Sequence, residues 1–224
     1  NHLYLVRHGE NRANLTKEFS HRRVDYPLTS KGRLQAQQTG IFLRNKNIQA
    51  LFTSPLKRAL ETATIIGELL NQQPKIHESF REVNVGVLEG QPPTQQVWDQ
   101  YHEVVQAWAA GQHELAFPGG ENYQQLWGRY RQGLVDACRS FPNQNLLIVG
   151  HGGIFALTLP KICPDLDFND VLNLENHNAS ISEIHLAIQG ESVHGRMIGW
   201  ANVNHLTGAA ADLIPGLPTE GELP

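Results

Sequence analysis

The chain is poor in sulfur, in long apolar runs and in charge of one sign. Two cysteines, Cys138 and Cys163, and a single methionine occur in 224 residues. Two thiols make no disulfide framework, and neither lies in a C-x-x-C pair that would hold structural zinc. They fit a reducing compartment, so the expected location is cytoplasmic. No apolar run approaches the ~20 residues needed to cross a bilayer. The opening Asn1-His2-Leu3-Tyr4-Leu5-Val6-Arg7 goes straight into a strand pattern and lacks the three-part layout of a signal peptide. With 18 Lys+Arg against 22 Asp+Glu, the net charge of −4 offers no basic face for nucleic acid. Neither nucleic acid nor membrane is therefore an expected partner. No internal repeat is present, which excludes a solenoid. What remains is 40% hydrophobic and 18% charged residues, enough for a sizeable core in one globular domain.

Three short continuous apolar runs stand out: Leu3-Tyr4-Leu5-Val6, Ala50-Leu51-Phe52-Thr53 and Leu146-Leu147-Ile148-Val149. Continuous rather than alternating apolar residues mark strands covered on both faces, as in a parallel sheet. Helical spacing predicts helices over 31–44, 56–70, about 94–110 and 121–140. The first should bury a stripe near Leu34, Ile41 and either Gln38 or Phe42, with Thr29 or Ser30 as its cap. The second should start from Ser54 as N-cap, with Pro55 at the first helical position. Trp98, Tyr101 and Trp108 share one helical face, for which core packing is the expectation. Late strands are expected near 180–188 and 195–201. The alternation predicts an α/β fold, a three-layer sandwich with a mostly parallel central sheet, helices on both faces and a helical lid excursion. A single domain would run over 1–207 with its lid at about 83–121, and 208–224, with Pro215, Pro218 and Pro224, would form a loose C-terminal tail.

Two His-Gly dipeptides, His8-Gly9 and His151-Gly152, each end a predicted buried strand. In open α/β sheets, ligands bind in the crevice outside the carboxyl ends of the strands. A lone histidine after a strand is usually structural, but two such placements, one preceded by Arg7, favour function. Beyond this, Leu5-Val6-Arg7-His8-Gly9-Glu10-Asn11-Arg12-Ala13-Asn14 resembles the signature of the histidine phosphatase superfamily, the phosphoglycerate-mutase-like fold. The resemblance continues through Pro27-Leu28-Thr29-Ser30-Lys31-Gly32-Arg33-Leu34-Gln35-Ala36 and Thr53-Ser54-Pro55-Leu56-Lys57-Arg58-Ala59-Leu60-Glu61-Thr62-Ala63. It resumes at Arg81-Glu82 with Gly86 and Glu89-Gly90, then at Pro118-Gly119-Gly120-Glu121. It closes at Val149-Gly150-His151-Gly152-Gly153, so the blocks run in family order from residue 3 to about residue 155.

The resemblance implies a phosphomonoesterase, a histidine acid-type phosphatase that needs no metal and no cofactor and acts on a small phosphorylated metabolite. By resemblance, His8 is the nucleophile that becomes a phosphohistidine, and it must be neutral at the attacking nitrogen. Arg7 and Arg58 would fork onto the phosphoryl oxygens, Asn14 and Gly152 would add neutral contacts, and His151 would donate as charge develops. Glu82 matches the proton donor to the leaving group and the later base for water. The blander alternative pairs Glu82 with Arg81 or Arg7.

Two rival readings are weighed against this one. Phosphoglycerate mutases of the superfamily carry, after the acid glutamate, a Tyr before the first Gly and a Lys three beyond the second. Here those places hold Val85 and Pro93, and no Lys or Arg occurs between Arg81 and Arg129. A non-catalytic module that only binds phosphorylated ligands would have little use for a positioned acid. Besides its small substrate, a homodimer partner is left open. The acids Glu82, Glu89, Asp99, Glu103, Glu114 and Glu121 dominate the expected roof, which favours a neutral, apolar or cationic group on the phosphate. Arg12, Lys17, Arg22 and Arg23, with His21, offer the contrary signal.

Overall fold

The three apolar runs form the middle of one sheet. The computed structural model describes residues 1–215. Its elements are β1 (His2–Arg7), α1 (Arg12–Thr16), α2 (Ser30–Leu43), β2 (Ile48–Thr53), α3 (Lys57–Leu70), β3 (Lys75–Ile76), α4 (Gln95–Ala109), α5 (Tyr123–Ser140), β4 (Asn145–Gly150), α6 (Gly152–Ile162), α7 (Phe168–Leu172), β5 (Ile181–Gln189) and β6 (Ser192–Asn202). The strand order is β3-β2-β4-β1-β5-β6. β1, β2, β3 and β4 pair in parallel, whereas β5 joins β1 and β6 antiparallel. The fold is α/β with a mostly parallel sheet, as expected.

Alternation explains why the runs are continuous. Leu3, Leu5, Phe52, Leu146 and Ile148 face Tyr130 and Leu134 of α5 and Ile154 and Phe155 of α6. Tyr4, Val6, Leu51, Leu147 and Val149 face the opposite way, onto Leu43 of α2 and Ala59, Ala63 and Ile66 of α3. Each strand thus buries both of its faces, and helices close a three-layer sandwich. β1 and β4 run side by side in register from His2 with Asn145 to Arg7 with Gly150, so the residues after them emerge together.

Several local expectations are corrected. The buried side of α2 carries Gly32, Gln35, Ala36, Thr39, Gly40 and Leu43, while Ile41 and Phe42 are 55% and 42% exposed. Small size wins over hydrophobicity here because α2 starts against the turn after β1. A Cβ on Gly32 would stand 2.1 Å from the Glu10 carbonyl oxygen. Thr29 is the cap, accepting from Gly32 N. α3 begins at Lys57 with Leu56 as N-cap, so Ser54 does not cap it. Trp98 and Trp108 are buried in the core, as their spacing suggested. Of the stretch expected as a loose tail, 208–215 packs on α2. Gly208–Ala211 forms a 3-10 turn, and Gln35 Nε2 and Lys31 Nζ donate to the carbonyls of Ala210 and Asp212 at 3.2 and 2.9 Å. The rest of that expected tail, 216–224, lies outside the described residues.

Candidate active site

His8 and His151 leave the carboxyl ends of β1 and β4, and their rings meet edge-on with centroids 5.2 Å apart. The tautomer of His8 is fixed from both sides. Its Nδ1 lies 2.8 Å from the Gly9 carbonyl, which can only accept, so Nδ1 carries the proton. Arg58 Nε donates to Nε2 at 3.1 Å, so Nε2 presents a lone pair. Burial, then the cations Arg58 and Arg7, hold His8 well below the ordinary histidine value, which keeps the ring neutral. His151 is held low by burial and by Arg58 in the same way. Its Nε2 lies 2.8 Å from Ser54 Oγ. That hydroxyl also accepts from Leu56 N at 3.3 Å, and in the tautomer with the ring proton on Nδ1 it gives its own proton to Nε2.

The two arginines are buried beside the histidines. Arg58, on the first turn of α3, is anchored by Nη1 to Ser20 Oγ and by Nη2 to Ser20 O, both at 2.9 Å, and stands 3.7 Å from Asp25. Arg7 ends β1 and donates through Nη1 to the Asn176 carbonyl. Burial lowers both guanidinium groups to about 10, and the charge of Glu82 opposes that shift in each. Gly152 opens α6 against Arg7, where a Cβ would sit 3.2 Å from Arg7 Nε. Asn14 stands one step behind. Its Oδ1 accepts from Asn178 Nδ2 at 3.0 Å, and that same amide donates to the His8 carbonyl at 3.1 Å.

Glu82 pairs with neither Arg81, which binds Glu78, nor directly with Arg7. Its carboxylate is seated at the start of α6, where Oε2 accepts from Gly153 N at 3.0 Å and Oε1 from Ile154 N at 2.7 Å. Val83 N adds a third donor at 2.9 Å. A helix N-terminus offers unpaired N–H groups to an anion, which is why the seat exists. Six of the seven expected residues thus meet at one strand-end crevice, with Asn14 behind it. Among the described residues, Arg7 Nε and His151 Nδ1 are buried in this crevice without a hydrogen-bond partner.

Reading the sequence for motifs missed the supporting residues. Ser54, which bonds His151, carries only the signal of a helix cap, and Ser20, which anchors Arg58, carries no spacing signal of its own, nor do Asn176 and Asn178. Glu89 Oε1 gathers the backbone N–H groups of His21, Arg22, Arg23 and Val24, so this carboxylate shapes the loop that brings Ser20 to Arg58. Burial raises and those four bonds lower the Glu89 carboxyl, with a net shift downward. A separate cleft of about 610 Å³, lined by His2, His185, His194 and Arg196, opens at the other end of β1 and β4 and touches none of this machinery. Among the described residues, no group of three or more His, Cys, Asp or Glu is placed to hold a metal ion, and no helix is long and apolar enough to cross a membrane.

Comparison with known proteins gives a consistent picture. A family model described as the histidine phosphatase superfamily (branch 1) matches residues 3–197. The chain is 29% identical over 199 residues to an uncharacterized phosphatase, PhoE, of Bacillus subtilis, covering 88% of this chain and 96% of that one. It is 32% identical over 216 residues to a probable phosphoglycerate mutase, GpmB, of Erwinia tasmaniensis, covering 94% and 97%. Among solved structures, a mycobacterial glucosyl-3-phosphoglycerate phosphatase superposes with a TM-score of 0.76 at 23% identity, covering 90% of this chain and 99% of that one. At that identity the likeness speaks for the fold alone.

Proposed function

From the premise that this chain belongs to the histidine phosphatase superfamily and is a phosphatase, we propose that it hydrolyses phosphomonoesters through a phosphorylated His8. The observation that carries the reading is the pair of buried atoms without hydrogen-bond partners, Arg7 Nε and His151 Nδ1, on the residue that precedes His8 and on the ring that meets the His8 ring edge-on. A buried polar group left without a partner costs ~1–3 kcal/mol, and a phosphoryl oxygen would accept from Arg7 Nε and from His151 Nδ1 in the tautomer that carries its ring proton there.

His8 Nε2 attacks phosphorus as the bond from phosphorus to the ester oxygen breaks, and the departing oxygen takes the proton of a Glu82 carboxyl that enters the step protonated. Water then attacks the phosphohistidine, Glu82 takes a proton from that water, and His8 leaves neutral with its Nδ1–H still on Gly9 O. Arg7, Arg58 and the His151 Nδ1–H hold the equatorial oxygens, where donors fixed in advance lower the barrier most. Asn14 and Gly152 contribute neutral contacts.

The substrate is a small phosphate ester whose other group is neutral, apolar or cationic. Three of the four cations that argued otherwise are engaged by the protein itself. Arg12 stacks over Tyr26 at 5.5 Å, Lys17 Nζ donates to the Pro215 carbonyl at 2.7 Å, and Arg23 Nη2 donates to the Glu89 carbonyl at 2.8 Å. The mutase reading that one relative's name brings has a specific obstacle, since Val85, where such mutases carry Tyr, is a buried core residue.

The direct test is rapid quenching with labelled p-nitrophenyl phosphate in the presence of a chelator. An acid-labile, alkali-stable adduct is expected on the wild-type chain and absent from His8→Ala, which should be inactive. A fully active His8→Ala enzyme sinks the mechanism.

A further inference from the structure

Glu82 sits on a segment with no regular structure, between the 3-10 turns Glu78–Phe80 and Gly86–Leu88. The carbonyls of such a segment need partners that neighbouring turns do not supply. They find them on one side chain, 47 residues further along the chain. Arg129 Nη1 donates to Ser79 O at 2.9 Å and to Arg81 O at 2.8 Å, and Nη2 donates to Glu82 O at 2.9 Å. Arg129 is held in turn by Glu121, which takes Nε at 2.9 Å and Nη2 at 2.7 Å in a fork. The same Glu121 Oε1 accepts from Asn84 N at 2.8 Å, and Glu121 N donates to Asn84 O at 3.0 Å. One guanidinium–carboxylate pair therefore grips the backbone on both sides of Glu82.

We propose that Arg129 is a positioning residue that fixes where the Glu82 carboxylate stands, with Glu121 as its brace; this rests on Glu82 acting on the leaving oxygen. Two constraints meet at Glu82. Its backbone is pinned from α5 by Arg129, with His21 Nδ1 adding a second contact to the same carbonyl at 3.1 Å, and its carboxylate is pinned from α6 by Gly153 N and Ile154 N. With both ends fixed, the side chain has little freedom to leave the edge of the phosphate crevice. Only arginine can do this. Three carbonyls and a carboxylate fork need five N–H donors in a rigid plane, and lysine has three on a flexible stem.

The test compares Arg129→Lys with wild type on an alkyl phosphate and on p-nitrophenyl phosphate, each also in a Glu82→Gln background. Misplacing a catalytic group by ~1 Å can cost ~100-fold, so a loss of about 10- to 100-fold in kcat on the alkyl ester is expected, with KM little changed. The loss on the nitrophenyl ester should be a few-fold, because nitrophenolate leaves without a proton. In the Glu82→Gln background the Arg129→Lys loss should vanish, since there is no longer an acid to misplace. Equal losses on both esters, or a loss undiminished by Glu82→Gln, overturn the proposal while the acid role of Glu82 stands. If Glu82→Gln itself costs the two esters equally, the acid role falls and the proposal falls with it. Should Arg129→Lys not fold, Glu121→Gln, which keeps the size of the brace, carries the same comparison: an ester-selective loss supports the proposal and an unselective one overturns it.

Discussion

A single added methyl group at Gly153 should disable Glu82 while leaving its own side chain chemically unchanged. A Cβ built there stands 2.8 Å from Glu82 Oε1, 3.1 Å from Cδ and 3.2 Å from Oε2. A relaxed carbon–oxygen contact is roughly 3.3–3.6 Å, so the carboxylate must retreat by about half an ångström or more. That retreat weakens its bonds to Gly153 N and Ile154 N, and bonds of this charged kind contribute ~1.5–3 kcal/mol each. The backbone at Gly153 is not in the left-handed region, and alanine suits a helix better than glycine by ~1 kcal/mol, so the fold should survive. Gly153→Ala should therefore melt near the wild-type temperature. Its kcat/KM on an alkyl phosphate should fall by about 100-fold, equivalent to about 2.7 kcal/mol of barrier. On p-nitrophenyl phosphate the fall should be small, because general acid help matters only where the leaving oxygen needs a proton. Steady-state kinetics on both esters, beside a thermal melt, decide it. An unimpaired Gly153→Ala enzyme on the alkyl ester refutes the idea that the seat on α6 serves catalysis.

Acid should destabilise this protein through its histidines. His8, His151, His21 and His205 are all lowered by burial, the latter two to about 4, so the folded chain keeps them neutral where the unfolded chain would bind protons. Their contribution is complete above the ordinary value of about 6.5 and is lost as pH falls below it, by about 1.4 kcal/mol per pH unit for each histidine at most. Urea midpoints at pH 7.5 and 5.5 should differ accordingly, and equal midpoints would contradict the assignment. A second prediction concerns charge on the substrate: phenyl phosphate should give a higher kcat/KM than 3-phosphoglycerate. The reverse order, with an advantage that fades as salt rises, would hand specificity to the exposed Arg22 and its neighbours.

The parts of the site that lie next to a strand end were readable in the sequence, because an apolar run followed by His-Gly declares both the strand and the turn. His8 and His151 were found that way, and their flanking motifs led to Arg7 and Arg58. What could not be read were contacts between distant segments made by residues without a pattern. Ser54 before Pro55 has the signature of a helix cap, yet its hydroxyl serves His151, and the helix starts two residues later than the cap would place it. The blander pairing of Glu82 with Arg81 or Arg7 does not form, because its carboxylate is held by the amides of Val83, Gly153 and Ile154, a seat that no sequence pattern announces. The α2 stripe failed for a different reason. Periodicity weighs hydrophobicity, whereas the buried face of α2 was selected for small size and for Gln35 and Thr39, whose polar groups are bonded to Glu10 N and to His205.

The register of β1 against β4 has a consequence for folding. His8 and His151 are separated by most of the chain, and they become neighbours only when two parallel strands zip together, a non-local pairing whose loop-closure entropy is met before any contact repays it. A third remote segment completes the site, since Ala179 N donates to the carbonyls of Arg7 and His8. The three pieces lie at residues 7–8, 151 and 176–179, far apart along the chain. A nascent chain that has not yet delivered β4 holds His8 with no His151 across the crevice, and the backbone of Asn176 and Ala179 that anchors Arg7 and His8 arrives later still.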